Sequence, residues 1–90
     1  MPQAVVDPEE LRRFAVNLRR FAGDARDRLA TLAAQLAGLS KTWRDQEHQK
    51  FSEVFEQHLR VMSGFIEVAE QHVPYLLRKA ELIEEYLQQR

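Results

Sequence analysis

The sequence predicts an all-α fold, an antiparallel two-helix hairpin that dimerises into a four-helix bundle. Three observations lead there. Apolar residues recur at intervals of three and four over two long runs. Turn-formers are scarce, with 3 Gly and 3 Pro in 90 residues, too few for the frequent turns of a sheet. One break near residues 38–41 separates the runs. A lone hairpin cannot cover its own apolar faces, so the reading includes a partner. The length allows one domain, residues 1–90.

The first helix is expected over about residues 8–37. Asp7 can cap it, Pro8 suits the first helical position, and Glu10 completes a capping-box-like pair. Its stripe runs Leu11, Phe14/Ala15, Leu18, Phe21/Ala22, Ala25, Leu29, Leu32/Ala33 and Leu36. Gly23 costs stability inside the run without ending it. Gly38 follows the last strong stripe residue and is the expected C-terminal cap. A turn then covers about residues 38–43.

The second helix is expected over about residues 44–73, opened by a capping box in Thr42-Trp43-Arg44-Asp45. Its stripe runs Phe51, Val54/Phe55, His58, Met62, Phe65, Ala69 and His72/Val73. Pro74 interrupts the pattern, and an interior proline removes a ladder bond. A kinked or restarted C-terminal helix is therefore expected over about residues 74–89. Its stripe is Leu76, Ala80, Ile83 and Leu87.

If the bend centres near residues 40 and 41, facing residues have numbers totalling roughly 81, because the helices rise equally. That register sets Arg28 beside Glu53, Arg26 beside Glu56, and Arg12 and Arg13 beside Glu70 and Glu67. It also puts Ala25, Ala22 and Ala15 near Phe55, His58 and Phe65, small against large. Residue 74 then meets residue 7, and the segment 75–90 has no facing helix in its own chain. Leu76, Ala80, Ile83 and Leu87, with Phe51 and Phe55, are the expected contacts to a dimer mate or other partner.

Several chemistries are excluded. Without cysteine there are no disulfides and no thiolate ligands or nucleophiles. A net charge of −1 argues against a nucleic-acid or polybasic membrane binder. No run is long and apolar enough to span a bilayer, so no stable membrane insertion is expected. The first residues lack the basic and apolar regions of a cleavable signal peptide. His48, His58 and His72 cannot converge on one metal, since 58 and 72 lie about 21 Å apart along a helix. Asp45-x-x-His48 has di-iron-like spacing but occurs once. Arg12, Arg13, Arg19, Arg20 and Arg26 line one side of the first helix, where acids of the second can neutralise them. No catalytic set, cofactor loop or metal site is expected, and the chain reads as a non-enzyme.

Trp43 stands apart as the single tryptophan, placed at the bend ahead of Phe51 and Phe55. An aromatic plug closing the hairpin is its simplest role. The segment 39–45, Leu-Ser-Lys-Thr-Trp-Arg-Asp, followed by those two phenylalanines, resembles the WXG superfamily, the early-secreted-antigen-like hairpin proteins of type VII secretion. The likeness covers the whole chain in length and layout, and Trp43 with Asp45 forms its specific turn motif. Asp45 stands where the family has Gly, a residue freer to adopt a left-handed backbone.

The resemblance implies a small secreted substrate, chaperone or adaptor of a type VII-like system. The protein would be cytoplasmic before export and secreted without a cleavable signal. Its partner would be a second copy or a paired WXG-like chain, with a secretion ATPase or a larger client as further candidates. Substrates of that pathway carry a C-terminal Tyr-x-x-x-Asp/Glu. Here Tyr75 is followed by Lys79 and Tyr86 by Arg90. Either a paired chain supplies the signal, this lineage dispenses with it, or export follows another route. The rival reading is a cytoplasmic coiled-coil adaptor that docks a larger client.

Overall fold

The computed structural model describes residues 6–89. The opening residues 1–5, on which the signal-peptide expectation rests, and Arg90, the fourth residue after Tyr86, lie outside them. Two helices make the fold, α1 over Pro8–Leu39 and α2 over Gln46–Gln88, of 32 and 43 residues. At 1.5 Å per residue they are about 48 and 64 Å long. The molecule measures 68 × 22 × 14 Å, so it is one α2 long, two helices wide and one helix thick. It is a single layer.

Both helix starts follow from caps. The Asp7 carboxylate accepts the Glu9 N–H at 2.9 Å, Pro8 opens the first turn, and Glu9 and Glu10 put negative charge at the helix N-terminus. The second start differs from expectation. Asp45, not Thr42, caps α2, its carboxylate accepting the His48 N–H at 3.0 Å. A carboxylate caps at least as well as a threonine hydroxyl and adds favourable charge at the helix end.

The end of α1 also differs. Gly38 stays helical, no described residue has positive φ, and the helix runs on to Leu39. Ser40 terminates it, its hydroxyl donating to the Ala37 carbonyl at 2.8 Å. The N–H groups of Lys41 and Thr42 reach back to Gly38 and Leu39, and that of Trp43 to Leu39, so the last carbonyls are satisfied without a left-handed glycine. Pro74 neither ends nor restarts α2, which is one helix through it. Its ring lies on an exposed position, and the buried Val73 before it holds the helix against α1 through the lost bond.

The register overturns the one read from the sequence. Arg12 pairs with Glu84 and Arg26 with Glu70, so facing residues total about 96 rather than roughly 81. None of the expected arginine–glutamate partners is the one observed. Residues 40–45 are not helical, and they end in extended backbone at Asp45. Residues 40–43 continue the course of α1 as hydrogen-bonded turns before the chain extends at Asp45, so the linker carries the start of α2 past the end of α1. The first eleven or so residues of α2 overhang, while Pro8 and Gln88 come level at the open end. The segment after Pro74 is therefore not unpartnered. It lies along the first half of α1, with Ala80 fully buried between the helices and Leu76 and Ile83 half-buried.

Candidate functional site: the open apolar face and the turn

The seam between the helices is narrow, three alanines together with larger aliphatic residues. On α1 it buries Ala15, Ala22 and Leu36, and on α2 Ile66, Val73 and Ala80. Both sets recur at heptad spacing, the seam of an antiparallel coiled coil. Alanines at 0% exposure let the backbones approach closely. No large side chain is fully buried among the described residues.

On one side of this seam the surface is charged. Arg12 donates both terminal nitrogens to Glu84, at 2.7 and 3.2 Å, and Arg26 binds Glu70 in the same forked manner. The hydrogen bonds from Arg12 hold Glu84 below the usual carboxylate range, and the reciprocal effect raises the Arg12 guanidinium. Glu70 likewise raises Arg26. These pairs flank the seam and mark its register.

The other side is apolar and open. Phe14, Phe21 and Leu32 of α1 and Phe51, Met62 and Phe65 of α2 are exposed there, Phe21 at 65% and Phe65 at 75%. Between the helices runs a groove of about 530 Å³ lined by Leu18, Phe21, Ala25 and Leu29 from α1 and Met62, Phe65, Ile66 and Ala69 from α2. Arg28 is its one charged lining residue. A further stripe, Val54, Val61, Val68, Tyr75 and Leu82, repeats at heptad spacing on the outer flank of α2 and is exposed throughout. Isolated exposed apolar residues are ordinary, but a continuous face of this length marks an interaction site.

The turn closes over the overhang. Trp43 is half-buried, with ring centroids 4.9 Å from His48 and 5.9 Å from Phe51, and Phe51 stacks on Phe55 at 5.3 Å. Ser52 and His48 share a hydrogen bond of 3.2 Å beneath it. Asp45 sits at φ −88° and ψ −179°, ordinary extended backbone, so the aspartate occupies the turn without strain. No group of three or more metal-ligating side chains converges among the described residues. No described helix is long and apolar enough to cross a membrane.

A model of the family described as proteins of 100 residues with WXG matches residues 3–86. The chain belongs to the WXG100 family. Family members are small secreted helical proteins of type VII secretion, not known as enzymes, and dimerisation of hairpins into a four-helix bundle is characteristic of them. Crystal structures of the secreted protein EsxB from Bacillus anthracis strain Sterne are similar over nearly the full length. The wild-type form is 30% identical, with a TM-score of 0.73 over 90% of this chain and 93% of that one. A selenomethionine-labelled form is 28% identical, with a TM-score of 0.77 over 96% and 98%. No curated protein sequence matches at a significant level.

Of the contacts expected from the sequence, Ala80 is consumed within the chain, and Leu76 and Ile83 line its seam. Phe51, at the overhang, and Leu87 remain open, and Phe55 is half-buried. Sequence reasoning places Phe14, Phe21, Met62 and Phe65 inside the hairpin, whereas they line its open face. The signal is present in the doublets Phe14/Ala15 and Phe21/Ala22. A helix with adjacent apolar stripes has two neighbours, and the small stripe takes the nearer one. His58 and His72, which fall in the stripe read from the sequence, are exposed.

Proposed function

We propose that this chain is a non-enzymatic WXG100 protein that acts by pairing its open apolar face with another helical hairpin, as substrate, chaperone or adaptor of a type VII-like secretion system. The observation that carries this is the one-sided apolar face, exposed for the length of a one-layer hairpin. A layer 14 Å thick buries too little to stand alone, and a second layer completes a four-helix bundle. The paired form, assembled in the cytoplasm, is what a secretion ATPase or larger client receives. A net charge of −1, with Arg12 and Arg26 paired to Glu84 and Glu70, speaks against nucleic acid as a partner.

The test is export. The tagged chain, expressed in a host with a type VII apparatus, is recovered from the medium, and deleting the apparatus ATPase abolishes recovery. Retention in the cytoplasm with the apparatus intact refutes the secretion reading. The exposed Val54–Val61–Val68 stripe, left over by a four-helix bundle, favours a second reading in that event, a cytoplasmic adaptor with a client on its outer flank.

A further inference from the structure

The outer flank of α2 is a second apolar surface, distinct from the open face. Val54, Val61, Val68, Tyr75 and Leu82 recur there every seventh residue, over about 42 Å of helix. Each is exposed, Val61 at 63% and Tyr75 at 61%. Beside this stripe, on the side away from the open face, lies Gly64, one turn from both Val61 and Val68. A glycine inside a helix costs stability against alanine, and the hairpin gives no reason for this one. Its φ is not positive, and a Cβ there would meet nothing within 4 Å. It leaves a notch in the flank.

We propose that α2 of a second copy packs antiparallel on this flank, with Tyr75 of each copy over Gly64 of the other. A four-helix bundle leaves the flank uncovered, so the contact joins one assembly to the next and is separate from the helix pairing above. In an antiparallel coiled coil the stripe of one helix meets the row beside the stripe of the other. Tyr75 against Gly64 of the partner subunit, large against small, fixes the register. Val61 then lies on the stem of Arg78 of the partner subunit. A twofold axis near the middle of α2 makes each contact twice.

Charge selects the same arrangement. On its rim Arg60 meets Glu81 of the partner subunit, and Glu67 meets Pro74 of the partner subunit. Arg60 has no ion-pair partner among the described residues, and Glu81 accepts from Arg78 through one oxygen only. Sliding the second helix by one heptad sets Glu67 against either Glu67 or Glu81 of the partner subunit, a repulsion in both cases. The parallel sense sets Arg78 against Arg78 of the partner subunit and Glu85 against Glu85 of the partner subunit, and leaves both notches empty. A strip of about 42 by 10 Å is roughly 400 Å² per copy, half that of a stable interface, so the contact is weak and reversible.

Sedimentation of the wild type from about 1 μM to 1 mM should show a doubling of mass in the upper decade, as befits an interface of this size. Gly64→Gln separates the contact from helix stability. It puts a helix former into open space, so the thermal midpoint of the dilute protein should rise, while the doubling weakens about tenfold or more. A raised midpoint with the doubling unchanged overturns the proposal. Arg60→Glu should also weaken the doubling about tenfold, and adding Glu81→Arg should restore it. Loss without restoration overturns the register. No doubling by 1 mM overturns the contact itself and leaves the open-face reading standing, because Phe65→Ala acts on the association step at lower concentration.

Discussion

Phe65→Ala tests the role of the open face. In the isolated chain Phe65 is 75% exposed, so truncation there should change stability by no more than about 0.5 kcal/mol. If a partner covers the face, the ring loses that exposure. A phenylalanine buries roughly 150–250 Å², and three quarters of this at ~25 cal/mol per Å² is about 3–4 kcal/mol for each copy. Alanine retains a little of it, so a twofold dimer should lose about 5–6 kcal/mol, roughly four decades in dissociation constant. Sedimentation over a concentration series, with helical circular dichroism on the same samples, measures it. Gln71→Ala, exposed on the far side of α2, is the matched control and should leave association unchanged. Equal dissociation constants for wild type, Phe65→Ala and Gln71→Ala would refute the reasoning. So would a sharp wild-type melt independent of concentration, since the face would then need no cover.

Asp45→Ala should cost about 0.5–2 kcal/mol through loss of the α2 cap, whereas Asp45→Gly should cost only a few tenths, both read from urea midpoints. Trp43→Ala should cost about 1–3 kcal/mol, the worth of its two half-buried ring contacts, against the ~3–5 of a fully buried ring; chemical denaturation decides. The lowered Glu84 carboxyl stabilises the fold above the usual carboxylate range and loses that contribution as pH falls through its folded value. Thermal melts between neutral pH and pH 3 should therefore fall less steeply for Glu84→Gln than for wild type. Pro74→Ala should raise stability by about 1–3 kcal/mol, because it restores a helical N–H at an exposed position, and the urea midpoint should rise at unchanged slope.

Helix content, the cap at Asp7 and the turn at Trp43 are all legible from residue order, because each depends on neighbours a few positions away. The caps expected at Thr42 and Gly38 fail for a local reason. Asp45 competes for the same helix start, and Ser40 ends α1 with ordinary backbone. The expected arginine–glutamate pairs fail for a non-local reason. Glutamates on α2 recur often enough that several registers give opposite-charge pairs, so charge matching by itself does not distinguish one from another.

Two long amphipathic helices and their hairpin order are properties of the sequence by itself, since periodicity and the shortage of turn-formers leave no other secondary structure for that apolar pattern. Only the tertiary structure decided which stripe each neighbour takes. The six residues between the helices are not helical, they slide α2 by about fifteen residues against the assumed register, and that shift pairs the tail with α1. With the tail accounted for, the alanine stripe closes the hairpin and the phenylalanine stripe is left facing outward, because close backbone approach selects small residues for the inner seam.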